Sequence, residues 1–274
     1  MSYQVVAFDL DGTLLNSNGE ILPSSVEAIQ KAKALGKKVV LVTGRHHTAV
    51  KPYYHQLGLN TPVICCNGTY LYQMQNDNDQ VLAANPLTAS KAKRILDLAN
   101  QYGSHVLLYS RDAMNFQIFN PHMTKFKAWA DSCDEAVRPN VRQVPDLYHF
   151  ISSGDIIWKC VISAPNREVM LQVVDQLPAD QFSCEWSWVD RVDIANVGNS
   201  KGGRLLQLLQ AWQIDPQQVI AFGDNHNDTS MLSSVGLGVA MGNAEEEVKQ
   251  QAKLVTLSND ENGIAATLEQ YLFN

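Results

Sequence analysis

The stretch "VVAFDLDGTLLN", residues 5–16, decides the fold. Val5 to Phe8 form a short, β-branched apolar run, the signature of a strand buried on both faces. It ends abruptly in Asp9-Leu10-Asp11-Gly12-Thr13. A buried strand followed at once by two carboxylates and a turn glycine delivers acidic groups to the carboxyl edge of a sheet. Alone, the stretch reads equally as a solvent-facing Asx turn.

Working outward, the same rhythm repeats. "PSSVEAIQKAKALG" places Val26, Ile29, Ala32 and Leu35 at helical spacing, with a Pro-Ser start and a Gly36 stop. "KKVVLVTGR" is a second continuous apolar run and leads into Thr43-Gly44. "TAVKPYYHQLGL" predicts a helix, and "PVICCNGTYLY" a third strand broken by an Asn67-Gly68 turn. From residue 200 the alternation resumes, with a helix in "SKGGRLLQLLQAWQI" and a strand in "QQVIAFGDNHND". Short strand and helix signals follow, ending in the closing helix "GIAATLEQYLF". Continuous apolar strands alternating with helices predict a parallel, doubly wound α/β sheet.

The middle of the chain differs. Residues 84–190 hold Trp129, Trp158, Trp186 and Trp188, with two amphipathic helices and strands at "VLLYS", "WKCVISA" and "FSCEWSW". The expectation is an α/β cap domain over 84–190, inserted into a discontinuous core of 1–83 and 191–274. "QNDNDQ", residues 75–80, reads as a loop before the insertion. A cleft at such a boundary, at the carboxyl ends of parallel strands, is where ligands bind.

Composition narrows the function. The chain has 274 residues, 21 Lys plus Arg against 28 Asp plus Glu, and a formal net charge of -7. No basic run offers a footprint for nucleic acid, and the acidity disfavours anionic membranes. No window approaches the roughly 18 apolar residues of a membrane span. The N-terminus lacks the basic and apolar regions of a secretory signal, so a cytoplasmic enzyme is expected. The five cysteines form no zinc-binding spacing and read as reduced thiols, with Cys65-Cys66 as packing residues on a strand. Nothing in the sequence sets the oligomeric state, and a monomer is compatible with it.

Three more motifs sit where chemistry is expected. "VLVTGR", residues 40–45, brings Thr43 and the open backbone of Gly44 to a strand end, as a phosphate pocket or as a helix cap. Lys201 opens a helix, where the dipole disfavours a cation, so a nearby anion is expected. "VIAFGDNHND", residues 219–228, ends a strand in Asp224, with Asn227 and Asp228 in the following turn. Hard oxygen ligands of this kind suit Mg²⁺. His226 suggests a transition metal, or is simply a surface residue. His46 and His47 follow the Thr43 loop and either meet the substrate or cap, or face solvent. The cap tryptophans either stack on a ring or fill a core.

In this order the four motifs resemble those of the haloacid-dehalogenase-like phosphatase superfamily. They are Asp9-x-Asp11-Gly12-Thr13, Val42-Thr43-Gly44-Arg45, Ser200-Lys201-Gly202 and Gly223-Asp224-x-x-Asn227-Asp228. An insertion between the second and third, together with "AMGNA" at 240–244, resembles the Cof-type branch. "TGRHHTAV", "ICCNGTYLY", "CEWSW" and "GNSKG" are similar to its pyridoxal phosphate phosphatase group. The resemblance implies that Asp9 is a nucleophile forming an aspartyl-phosphate and that Asp11 is the acid and base. It implies Mg²⁺ held by Asp9, the Asp11 carbonyl and Asp224, with Asp228 behind them. Phosphate would be gripped at Leu10, Thr43, Gly44, Lys201 and Asn227. The implied substrates are small phosphorylated metabolites, pyridoxal 5'-phosphate first and sugar phosphates second. A phosphomutase and a phosphoacceptor signalling module are the competing readings.

Overall fold

The computed structural model describes residues 2–74, 79–164, 166–188 and 190–274. Most of the expected loop at 75–80 therefore lies outside the described residues. The chain divides into two compact units, Met1–Thr43 with Tyr53–Leu82 and Ser200–Asn274, and Gly44–Pro52 with Ala83–Asn199.

The first part of the chain forms β1 (Val5–Phe8), α1 (Pro23–Ala34), β2 (Lys38–Leu41), α2 (His47–Gln56), β3 (Val63–Cys65), β4 (Tyr70–Gln73) and β5 (Gln80–Ala84). The middle contributes α3 (Ala89–Gln101), β6 (His105–Ser110), β7 (Met114–Phe116), α4 (Pro121–Ser132), β8 (Val141–Gln143) and α5 (Leu147–Ser152). It continues with β9 (Ile157–Ser163), α6 (Arg167–Val174), β10 (Phe182–Trp188) and β11 (Arg191–Asn196). The chain closes with α7 (Lys201–Trp212), β12 (Val219–Gly223), α8 (Thr229–Leu232), β13 (Leu237–Ala240), α9 (Glu246–Gln251), β14 (Leu254–Val255) and α10 (Gly263–Tyr271).

The first unit is built on a parallel sheet of order β14-β13-β12-β1-β2. Strand β1 lies inside the sheet between β12 and β2, and every one of its residues is buried. That is why its run is continuously apolar rather than alternating. From β1 the chain winds outward through α1 to β2 on one side, and from β12 through β13 to β14 on the other. The order reverses between β1 and β12, the switch point where open α/β sheets bind ligands. The third strand continues the parallel arrangement and also begins a second, small sheet. Val63–Cys65 meets the main sheet through a parallel bridge, Val42 to Ile64, and pairs antiparallel with β4 in a small sheet of order β3-β4-β5.

The second unit carries a mixed sheet of order β10-β11-β9-β6-β7-β8, antiparallel except where β7 meets β8. Helices α3, α5 and α6 cover it through Ile95, Leu96, Leu147, Ile151, Met170 and Val173, packed on Leu108, Cys160, Ile162, Val192 and Ile194. Strand β11 lies beyond residue 190, yet it pairs with β9 and β10 and so belongs to this sheet. Residues 44–52 also group with this unit. Strands β7 and β8 and helices α4 and α5 went unpredicted, being short or weakly periodic.

Candidate active site

Strand pairing alone brings two carboxylates together. Phe8 is in register with Phe222, and their rings stack 5.1 Å apart. The Asp9 amide donates to the Phe222 carbonyl at 3.0 Å. Asp9 therefore leaves β1 beside Gly223, and Asp224 leaves the neighbouring strand one residue later. Both sit at the carboxyl edge of the sheet's most deeply buried strands, on rigid backbone.

The chain then turns sharply. Leu10 buries its side chain, and its carbonyl accepts from Leu15 N–H at 2.8 Å. Gly12 adopts φ +78°, and a Cβ there would lie 2.3 Å from Asp224 Oδ2. Only glycine fits both the left-handed backbone and that approach. Thr13 donates its hydroxyl to Asp224 Oδ1 at 2.7 Å. Asp11 is exposed. The strand ends at Phe8, and the Gly12 turn carries Asp11 out while Asp9 stays buried.

Lys201 opens α7 behind Ser200, whose hydroxyl accepts from the Gly203 amide. Its Nζ lies 2.8 Å from Asp9 Oδ1 and 2.7 Å from Asp228 Oδ1. The lysine is 1% exposed. Burial would strip its proton, but Asp228 and Asp9 outweigh that and hold it charged. These two carboxylates account for a cation at a helix start. Asp228 Oδ2 also accepts from the amides of Asp224 and Asn225, at 3.0 and 3.1 Å. Asp228 therefore braces the Asp224 loop and Lys201 at once.

Three carboxylates in one buried place repel one another. Burial pushes the Asp9 carboxyl well above the usual range despite Lys201, and Asp228, Asp224 and Asp11 push it further. Burial, then Asp228, raises Asp224 to about 7, against the Thr13 hydrogen bond. Among the described residues, Asp9, Asp224 and Asp228 each offer an oxygen within 4.8 Å of the others, the one such metal-ligand group. An all-oxygen donor set whose charge is costly when unpaired fits a hard divalent cation such as Mg²⁺. The Asp11 carboxylate lies outside that group. So does His226, which is exposed with Nε2 3.1 Å from Glu245. The structure gives no support to a transition-metal site there.

Thr43 is buried, and its amide donates to the Ile64 carbonyl at 2.8 Å. Helix α2 starts at His47, so Thr43 is not its cap. Asn67 donates its amide to the Thr43 carbonyl at 3.0 Å and accepts Asn227 Nδ2 on its side-chain oxygen at 3.1 Å. Thr13 and Asn67 were not singled out in the sequence. Thr13 belongs to the acidic motif, and Asn67 reads there only as a turn.

The second unit holds a buried polar cluster of its own. Lys159, 2% exposed, pairs with Asp193 and donates to the Gly44 carbonyl at 2.8 Å. His46 and His47 are buried, which excludes a solvent-facing role. His46 sits 2.9 Å from both Thr48 Oγ1 and the Ser110 carbonyl, and burial lowers its pKa to about 4. Burial and His46 push His47 below its usual range. Trp158 is wholly core, whereas Trp129 and Trp186 are half-buried under the guanidinium groups of Arg45 and Arg167.

Residues 6–268 match the family model of the haloacid dehalogenase-like hydrolases. The chain is 40% identical over 273 residues to the pyridoxal phosphate phosphatase YbhA of Escherichia coli (strain K12), covering 99% of this chain and 100% of that one. It is 29% identical to the 5-amino-6-(5-phospho-D-ribitylamino)uracil phosphatase YitU of Bacillus subtilis (strain 168), covering 97% of each. A haloacid dehalogenase-like hydrolase from Bacteroides thetaiotaomicron superposes with a TM-score of 0.84 at 25% identity, covering 98% of this chain and 99% of that one.

Proposed function

The chain belongs to the haloacid dehalogenase-like hydrolases, and from that premise we propose that it is a Mg²⁺-dependent phosphomonoesterase. Its substrates are small phosphorylated metabolites, with pyridoxal 5'-phosphate first and sugar phosphates second. The observation that carries the reading is the meeting of Asp9 and Asp224 at adjacent strand ends, with Lys201 locked between Asp9 and Asp228. Full-length similarity to a pyridoxal phosphate phosphatase supports the substrate order.

Asp9 Oδ1 is taken by Lys201, which leaves Oδ2 to attack phosphorus. The Asp9 O–P bond forms as the ester P–O bond breaks. Asp11, exposed on its turn, protonates the leaving alkoxide and then removes a proton from the water that hydrolyses the aspartyl-phosphate. Lys201 offsets the charge of the nucleophile as it meets an anionic substrate. Leu10 backbone, Thr43, Lys201 and Asn227 hold the phosphate. Mg²⁺, when bound by Asp9, the Asp11 carbonyl and Asp224, neutralises charge on the phosphoryl oxygens.

No helix among the described residues is long and apolar enough to cross a membrane. The five thiols are unbridged, in keeping with the reducing cytoplasm proposed as its compartment. The deciding experiment is a panel of phosphorylated metabolites with Mg²⁺, read by kcat/KM. Phosphate release without a second acceptor is expected, and its absence would favour a phosphomutase. A long-lived phosphoprotein that releases no phosphate would favour a signalling module.

A further inference from the structure

We infer that Asn67 is a positioning residue for the phosphate end of the site, orienting Asn227 and tying it to Thr43. The inference rests on the phosphatase reading and extends it to a residue outside the four motifs.

The turn that presents Asn67 is costly to build. Cys66, Asn67 and Gly68 have φ of 50°, 55° and 86°, three left-handed residues in a row. A β-carbon-bearing residue resists that region, and asparagine resists it least. Two features of α7 hold the turn in place. A Cβ on Gly68 would lie 2.1 Å from the Ser200 carbonyl, so the turn rests directly on the helix start that carries Lys201. One turn further along, Arg204 donates from Nε to the Gly68 carbonyl at 2.8 Å and from Nη2 to the Thr69 carbonyl at 3.1 Å. Strain held so firmly beside reacting groups points to a functional demand.

Asn67 is 5% exposed. Its backbone N–H reaches the Thr43 carbonyl, and its side-chain Oδ1 takes Asn227 Nδ2. One residue thereby joins the loop after β2 to the loop after β12. The bond also settles which way the Asn227 amide points. One Nδ2 hydrogen goes to Asn67, while Asn227 Oδ1 is buried with no partner. A buried acceptor without a donor is costly, and such atoms in native sites are met by a ligand or its water. Asn227 is left with one N–H and one open acceptor. A phosphate, which carries acceptor oxygens and a proton or bound water, matches both.

Inorganic phosphate binding measured by calorimetry with Mg²⁺ present, alongside turnover of p-nitrophenyl phosphate, tests this. Asn67→Gly keeps the left-handed backbone and its bond to Thr43 and removes only the side-chain amide, whereas Asn67→Ala removes the side-chain amide and strains the turn. We expect about tenfold weaker phosphate binding in both variants, with KM moving more than kcat and Tm held in Asn67→Gly. Asn67→Gly combined with Asn227→Ala should bind phosphate no more weakly than Asn227→Ala alone. Wild-type phosphate affinity in Asn67→Gly, or losses that simply add in the double variant, would overturn the inference. Should Asn67→Gly fail to fold, Asn67→Asp replaces it. That residue tolerates the backbone but sets a carboxylate beside the phosphate, so undiminished binding there overturns the inference too. A wild-type protein that binds phosphate yet turns over no ester refutes the phosphatase reading alone; one that binds no phosphate refutes both.

Discussion

Lys201 Nζ and Asp9 Oδ1 lie 2.8 Å apart although 192 residues separate them in the chain. The same ammonium reaches Asp228 at 2.7 Å, and all three groups are buried. Removing the cation leaves two carboxylates facing each other without water. Lys201→Met should therefore lower stability by about 3–5 kcal/mol, the usual cost of breaking a buried ion pair from one side. It should also lower kcat at least about 100-fold, since the nucleophile loses its nearest positive charge. Urea unfolding and initial rates check the two effects separately. A variant of unchanged stability would contradict the buried triad.

The two aspartates of the acidic turn should fail differently. Asp9→Asn is expected to abolish turnover and phosphoenzyme formation together, because the amide cannot attack phosphorus. Asp11→Asn is expected to slow breakdown of the phosphoenzyme while leaving Tm unchanged, since Asp11 is exposed. Rapid-quench measurement of protein-bound phosphate separates the cases. Near-normal turnover in Asp9→Asn would remove it as nucleophile.

Chelation should abolish activity, and Mg²⁺ should raise Tm, with both effects depending on pH in a definite direction. Asp224 is raised to about 7 in the folded chain against 3.8 ordinarily. Between those values the folded state binds more protons, so without metal this group's contribution to stability falls as pH rises through that window. A cation that needs the ionised carboxylate reverses the trend, because protons compete with it below about pH 7. The Tm gain from saturating Mg²⁺ should grow from pH 5.5 to pH 7.5 (about two units spanning that titration). A gain that is flat or shrinks with pH would exclude Asp224 as a ligand. Thermal scans at fixed ionic strength measure it.

The second unit should weaken in acid for a separate reason. His46 titrates at about 4 when folded against 6.5 ordinarily, chiefly because it is buried. As pH falls below 6.5 the unfolded chain takes up a proton that the folded one refuses. The stability that His46 contributes is thus present above pH 6.5 and is lost as pH falls towards 4, by at most about 3 kcal/mol. Lowered His47 adds in the same direction. His46→Gln should show a shallower loss of urea midpoint between pH 7 and pH 5, followed by tryptophan fluorescence. An identical slope would mean that His46 is already charged in the fold.

What was legible in advance was whatever local pattern encodes. The apolar runs at Val5–Phe8 and Val219–Gly223 announced buried parallel strands, because a strand covered on both faces tolerates no polar residue. Since such strands end at one edge of the sheet, the apolar runs alone predict Asp9, Thr43 and Asp224 as neighbours. In the Asp9-x-Asp11-Gly12-Thr13 stretch the sequence does not tell which carboxylate is buried; the fold buries Asp9 and leaves Asp11 exposed.

What remained hidden depends on pairs of residues distant in sequence. Nothing local to Lys201 says which carboxylates it meets; Asp9 and Asp228 are chosen by how α7 packs against α8, β3 and the turns at 66–68 and 226–228. Asn67 looks like any turn asparagine until Gly68 rests on Ser200 and its side chain finds Asn227. Lys159 looks like a strand lysine until Asp193 and the Gly44 carbonyl surround it. The sequence by itself determined the sheet, its acidic edge and the order of the motifs, through periodicities of a few residues. Tertiary structure alone decided which buried charges and amides satisfy one another, because that depends on contacts made only once the sheet has closed around them.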